Sequence, residues 1–136
     1  TSTTWRRSFP LHLACTSPAA WSTSTTPTTT ARPTQAGLRV AIDVPLRTMK
    51  LADELWPAME EMAEHGNISC KSDLQVGARA LEVGIWGAQQ NVIINLADIT
   101  DQTYISEISV EAQRIADRAT ERCARVLAAL EARASK

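Results

Sequence analysis

Apolar residues recur at steps of three and four positions through the last hundred residues, the spacing of one face of an α-helix. The first such stripe follows Val44. Proline is tolerated in a first helical turn, where its missing donor has no intrahelical partner, so Pro45 is predicted to open a helix over 45–65. The stripe comprises Leu46, Met49, Ala52, Leu55, Trp56, Met59, Met62 and Ala63.

Two residues interrupt or end this first helix. Pro57 predicts a kink or a break near Leu55 and Trp56, because an internal proline removes a hydrogen bond and clashes with the preceding turn. Gly66 is predicted to end the helix in a left-handed cap.

A second helix is predicted over 72–97. Ser72 to Gln75 have the pattern of a capping box, and no strong breaker follows before Leu96. Glycine inside a helix costs about 1 kcal/mol relative to alanine, so we expect another backbone to pass close to this central helix. On that basis Gly84→Leu should destabilise the fold more than Gln89→Leu. The small residues in the interior of this predicted helix are Gly77, Ala78, Ala80, Gly84, Gly87 and Ala88.

A third helix is predicted over 101–133, capped by Thr100 or Asp101. Its nearly heptad seam comprises Tyr104, Ile108, Ala112, Ile115, Ala119, Cys123, Val126 and Leu130. Its opposite, charged face is expected to meet solvent or a partner and comprises Glu107, Glu111, Arg114, Asp117, Arg118, Glu121, Arg122 and Arg125. The predicted fold class is all-α, a multihelical bundle-like fragment with three main helices.

Residues 1–34 have a different composition, with eleven Thr, five Ser and four Pro. Such a segment buries too little apolar surface to offset its ordering entropy, so we expect disorder. A glycosylated stalk is one alternative. Another is translation out of frame, since reading Trp21 to Pro27 one base earlier permits Leu-Val-Asp-Leu-Asp-Asp-Ala. We therefore divide the chain into residues 1–34 and 35–136, and interpret it as a fragment.

Charge and cysteine content narrow the function. The 136 residues suffice for one domain, and residues 43–136 hold 10 basic and 15 acidic groups, which argues against a nucleic-acid-binding face. No apolar run has the roughly 20 residues of a membrane span. The three cysteines lack metal-ligand spacing, so we expect reduced thiols, no disulfide and a cytoplasmic location.

Five sequence blocks, in order, resemble the cyclodeaminase part of the formimidoyltransferase-cyclodeaminase family, and the tail Leu130-Glu131-Ala132-Arg133 resembles its animal members. The resemblance starts near residue 35 and covers about three quarters of the chain. The blocks are Val44-Pro45-Leu46, Leu55-Trp56-Pro57-Ala58, Gly66-Asn67, Ser72-Asp73-Leu74-Gln75-Val76 and Asn91-Val92-Ile93-Ile94-Asn95-Leu96.

The resemblance implies an oligomeric helical domain that closes 5-formimidoyltetrahydrofolate to 5,10-methenyltetrahydrofolate and releases ammonia. It implies no metal and no cofactor beyond the tetrahydrofolate substrate. Proton transfers in this reaction need a positioned general acid and base. The family's catalytic Asp lies upstream of the Val44 block, where this sequence is rich in Thr and Ser, so its catalytic residues stay unknown.

Four residues are candidates for substrate binding. Asn91 and Asn95 lie one helical turn apart on an apolar helix and could bind the pterin or the formimidoyl group, or else a neighbouring backbone. Asp73 could bind substrate or merely favour the helix N-terminus. Asn67 could contact substrate or form a left-handed turn after Gly66.

For several further residues a functional role is possible, but we favour a purely structural explanation. His65 could be a base but is expected at a helix end, and Lys71, Arg79 and Arg47 could meet folate carboxylates but are expected to face solvent. Trp56 and Trp86 could stack on the pterin but are expected in the core.

Three functions stay open. The first is a cyclodeaminase fragment that is inactive as it stands, and the second is a methenyltetrahydrofolate cyclohydrolase-like enzyme. The third is a non-catalytic helical oligomerisation module. The expected partners are a folate, with or without a polyglutamate tail, and further copies of the chain, but neither nucleic acid nor membrane.

Overall fold

A computed structural model describes residues 34–135, which form four α-helices and no strand. The all-α prediction is confirmed. The expectations of disorder, glycosylation or frame-shifted translation fall on residues outside this range, apart from Thr34. The helices are α1 (Gln35–Asp53), α2 (Trp56–His65), α3 (Lys71–Leu96) and α4 (Gln102–Ala134), with a short 3-10 helix (Ile68–Cys70) between α2 and α3.

The helices form three legs, in which α1 and α2 together make the first. Gln35 at the start of α1 donates from Nε2 to the carbonyl of Asp98 just after α3, 2.9 Å away, so α1 and α3 run antiparallel. Lys50 lies 3.0 Å from Glu111, and Arg125 lies 3.1 Å from Glu60, so the first leg runs parallel to α4. The central leg, α3, packs against both α1 and α4.

The core lies between the three legs and depends on the seam of α4. Six of the eight predicted seam residues are at most 2% exposed, and Tyr104 and Ile108 are half-buried, so the seam prediction is confirmed. Facing the seam are one or more buried apolar residues from every other helix: Leu38, Ile42, Leu46 and Met49 of α1, Trp56 and Ala63 of α2, and Ala78, Ile85, Val92 and Leu96 of α3.

The first leg begins ten residues before the predicted start. Thr34 caps α1, its Oγ1 accepting from the Gly37 amide at 3.1 Å, and Pro45 lies inside the helix instead of opening it. The stripe of Leu38 and Ile42 continues the pattern upstream, and its burial outweighs the hydrogen bond that proline removes.

The break between α1 and α2 is where it was predicted. Glu54 and Leu55 separate the helices, and Trp56, the first residue of α2, is completely buried. However, Leu55 and Met62 are 55% and 42% exposed, so they do not belong to the buried stripe. The stripe itself continues across the break at three- and four-residue steps through Met49, Ala52, Trp56, Met59 and Ala63, and Leu55 and Met62 each lie one position to its side.

Gly66 ends α2 without a left-handed cap, so that prediction is wrong. Its φ of −67° and ψ of 172° are extended backbone that any residue can adopt. The need for glycine is steric, because a Cβ at this position would lie 2.5 Å from the carbonyl oxygen of Met62.

The N-termini of α3 and α4 are capped differently. The capping box at Ser72 does not form, since α3 already begins at Lys71 and continues directly from the 3-10 helix. Asp101 does cap α4, accepting from the Tyr104 amide at 3.1 Å. That bond, together with Arg39, lowers the pKa of Asp101.

The expected close approach at the α3 glycines is absent from residues 34–135. A Cβ on Gly84 or Gly87 would meet nothing within 4 Å, and Gly77 approaches only the side chain of Met59. Gln89, by contrast, is 6% exposed. The expectation that Gly84→Leu would cost more than Gln89→Leu is therefore wrong for the isolated chain, because Gly84 lies on the outside of the bundle.

We predict opposite effects of one substitution at two glycines. Gly84→Ala should stabilise the isolated chain by up to about 1 kcal/mol, because alanine is the better helix former and the site is open. Gly66→Ala should destabilise it by about 1 to 3 kcal/mol through the clash with Met62. Urea unfolding of both variants measures this, and a loss of stability at Gly84 would contradict the open exterior.

Candidate functional site

One surface of α3 is apolar, uncharged and exposed, and we call it the outer face. Along it, Val76, Val83 and Ile94 are 69%, 62% and 67% exposed. The glycines and Asn91 interrupt these side chains. A surface that combines exposed aliphatic groups with a few amides can bind a flat organic ligand or another helix. The outer face comprises Val76, Ala80, Val83, Gly84, Gly87, Asn91 and Ile94.

The structure gives Asn91 and Asn95 a local role. The Nδ2 of Asn91 donates to the Gly87 carbonyl at 3.0 Å, and that of Asn95 donates to the Asn91 carbonyl at 2.8 Å. Both amides therefore back-bond to their own helix rather than to a neighbouring element. Asn91 is exposed and Asn95 is half-buried, and each Oδ1 acceptor is left for other partners.

The other two candidates lie at the opposite end of α3. Asn67 has an extended φ of −66° and caps the 3-10 helix, its Oδ1 accepting from the Ser69 amide at 3.0 Å, so the left-handed turn is wrong. Asp73 is exposed in the first turn of α3, as the dipole argument requires. The helical rise separates Asp73 from Asn91 by about 27 Å, so the four candidates do not converge on one chemical group.

The basic candidates lie at the surface. Lys71 binds the Glu131 carboxylate at 2.6 Å, and the His65 Nε2 lies 3.7 Å from Glu64. Arg47 and Arg79 are exposed. None of the three cations Arg47, Lys71 and Arg79 lines the outer face, which is uncharged.

The two tryptophans of residues 34–135 have different environments. Trp56 is fully buried, as expected, but Trp86 is 58% exposed, so core packing is the wrong prediction for it. Trp86 borders a groove between α3 and α4 that is also lined by Glu82, Val83, Ala116 and Thr120.

Sequence reasoning missed a group of ion pairs between the first leg and α4. Asp53 pairs with Arg118, and Glu60 lies 3.1 Å from Arg125 and 3.6 Å from Arg122. Three arginines of the predicted charged face therefore contact the same chain. Asp53 and Glu60 are seven positions apart, two helical turns, which is the signal that could have matched them to α4.

A buried thiol lies at the contact of α3 with α4. Cys123 is 2% exposed, and burial together with the nearby Glu82 carboxylate raises the pKa of its thiol to about 11. Cys70, in the 3-10 helix, is exposed. The two described thiols therefore differ in access to solvent.

No group of three or more metal-ligating side chains occurs within residues 34–135. No helix in this part of the chain is long and apolar enough to cross a membrane.

Comparison with known proteins identifies the family of this chain. The family model described as formiminotransferase-cyclodeaminase matches residues 17–114, more than half of the sequence. The chain belongs to the formiminotransferase-cyclodeaminase family. The match includes residues 17–34, which lie upstream of the resemblance expected from residue 35.

Members of this family align over most of the chain. The formimidoyltransferase-cyclodeaminase of Rattus norvegicus is 46% identical over 99 residues, which are 73% of this chain and 18% of the relative. That of Dictyostelium discoideum is 44% identical over 96 residues, 71% of this chain and 18% of the relative. The methenyltetrahydrofolate cyclohydrolase of Methylorubrum extorquens is 32% identical over 73 residues, 54% of this chain and 35% of that protein. The chain thus spans less than a fifth of the bifunctional relatives.

We predict that the two described thiols react at very different rates. Iodoacetamide at pH 8 should alkylate Cys70 at least about tenfold faster than Cys123, because a thiol with a pKa near 11 is almost entirely protonated and Cys123 is also buried. Peptide mass spectrometry gives each rate. Equal rates under native conditions would contradict the packing of α3 on α4, and equal rates in urea serve as the control.

Proposed function

We propose that this chain is the C-terminal part of a formimidoyltetrahydrofolate cyclodeaminase. The reaction would close 5-formimidoyltetrahydrofolate to 5,10-methenyltetrahydrofolate and release ammonia, linking histidine degradation to one-carbon metabolism. Membership of the family supports this assignment. It is also consistent with an exposed helix face that offers amide groups beside apolar surface.

The outer face of α3 is the observation on which a binding role rests. Asn91 is exposed there, and its Oδ1 could accept a hydrogen bond from an N–H group of the pterin or of the formimidoyl substituent. Asn95, one turn further on, could do the same from the edge of this face. The flanking Val83 and Ile94 would cover the apolar part of such a ligand.

The proposed ring closure requires further groups at the site, for proton transfer. The neighbouring folate nitrogen attacks the formimidoyl carbon, the tetrahedral centre forms, and ammonia leaves after proton transfer. A general acid and base must therefore lie within hydrogen-bonding reach of this carbon. We infer that these groups come from outside residues 35–136, since Asp73, the exposed carboxylate one turn before Val76 on this side of α3, lies about 27 Å from Asn91. The proposal uses no metal or cofactor, and it places a homo-oligomer of the chain in the cytoplasm with a folate, polyglutamated or not, as its partner.

Two other functions have support of their own. The identity to the Methylorubrum cyclohydrolase favours a related enzyme that would release no ammonia. The exposed aliphatic side chains of the outer face favour a non-catalytic oligomerisation module. Ammonia release separates the first from the cyclodeaminase, and folate binding separates the second.

We predict that the purified chain will not catalyse the reaction alone. Loss of a general acid or base typically lowers a rate by about a hundred- to ten-thousand-fold, and missing pocket walls would weaken binding further. The assay follows the absorbance of methenyltetrahydrofolate formed from enzymatically made 5-formimidoyltetrahydrofolate, with the complete rat relative as positive control. Turnover near that of the control would refute the proposal that the acid and base lie elsewhere.

We further predict that the chain binds 5-formyltetrahydrofolate, a stable analogue, through its α3 amides. The double variant Asn91→Leu, Asn95→Leu should bind about tenfold more weakly, since each lost hydrogen bond is worth about 0.5 to 1.5 kcal/mol. Gln90→Leu, on the same helix but facing another direction, is the matched control. Calorimetric titration measures all three proteins, and equal affinities would remove the two asparagines from the site.

A further inference from the structure

The last turns of α4 contact the connector between α2 and α3, which we define as residues 66–70. Arg133 donates from Nη1 to the Ala63 carbonyl and from Nη2 to the Gly66 carbonyl, both at 2.7 Å. Two residues earlier, Glu131 accepts from Lys71 at 2.6 Å and from Gln75 at 2.8 Å. Both ends of the connector are therefore bound by one short piece of α4.

The bonds from Arg133 satisfy groups that the helix itself cannot. The last carbonyls of an α-helix have no intrahelical donor, and Ala63 and Gly66 are at the end of α2. A guanidinium donates from two nitrogens held in one plane, so each of its Nη atoms can bind a different carbonyl, whereas a lysine ammonium donates from a single nitrogen. Both bonds are part-buried, which protects them from competition with water.

The connector has little else to hold it. Its residues 67–70 are all exposed, and its 3-10 helix contains no buried side chain. A segment with few apolar contacts opens more readily than the core. Its position thus depends on polar contacts, and the contacts at its two ends come from α4.

We propose that Glu131 and Arg133 form a latch that keeps the connector closed and so governs local opening between α2 and α3. The latch lies outside the stretch that the family model matches, residues 17–114, whereas the connector lies inside it. The latch therefore links two residues beyond the family match to Asn67 and to the first turn of α3. It does not depend on the proposed reaction.

Limited trypsin digestion of the whole chain tests the latch. Opening of the connector exposes the bond after Lys71, whose side chain is otherwise paired with Glu131. Arg133→Gln should speed cleavage after Lys71 about tenfold relative to cleavage after Lys50 in α1 of the same molecule. In the native chain, opening must break two charge-assisted hydrogen bonds, and the variant lacks them. Arg133→Lys should give an intermediate rate, since it keeps the charge but replaces the two donating nitrogens of the guanidinium with one.

The matched control is Arg125→Gln, the same substitution about two turns earlier, where the arginine pairs with Glu60 instead of the connector. It should leave the Lys71 to Lys50 ratio unchanged. Glu131→Gln should raise the ratio by several-fold. An unchanged ratio in Arg133→Gln overturns the proposal, and so does an equal rise in Arg125→Gln, which would indicate general destabilisation. Urea unfolding of each variant measures that global effect separately.

Discussion

Burial of one seam on α4 is the interaction on which the other three helices depend. The helix that carries this seam packs against both helices of the first leg and against α3. Its alternation of small residues, such as Ala112 and Ala119, with larger ones, such as Ile115 and Leu130, lets the legs approach closely while the remaining space is filled. Removing a large buried side chain of this kind typically costs about 2 to 5 kcal/mol, so the seam sets much of the stability.

Ion pairs fix the register of the first leg on α4, which burial of the apolar seam alone does not determine. Apolar burial is non-directional, and a seam of small and aliphatic side chains permits helices to slide or rotate. The pairing of Asp53 with Arg118 at the end of α1, and of Glu60 with Arg125 in α2, fixes the register of the first leg on α4. Partly exposed ion pairs contribute little energy, so their role here is positional.

The sequence predicted the fold class, the α4 seam, its Asp101 cap and the break before Trp56, because each rests on local periodicity or local chemistry. It failed at helix ends, where the backbone path within a single turn decided the outcome. Gly66 is required by the nearby Met62 carbonyl, and Lys71 starts α3 in place of the Ser72 box. The candidate site was predicted less well, since Asn91 and Asp73 share a helix but not a location, and spacing alone did not reveal which faces would be covered.

The long separation of these contacts along the chain has a consequence for biosynthesis. Arg118 meets Asp53 across 65 positions, and Arg133 meets Ala63 across 70. Of the four helices, α4 is the last to leave the ribosome, so the apolar residues of α1, α2 and α3 that pack on α4 stay uncovered until then, although α1 and α3 can already pack on each other. Chains in this state are prone to aggregate and to bind chaperones. Folding of this bundle is therefore expected to be completed only when α4 has emerged and docks, rather than helix by helix.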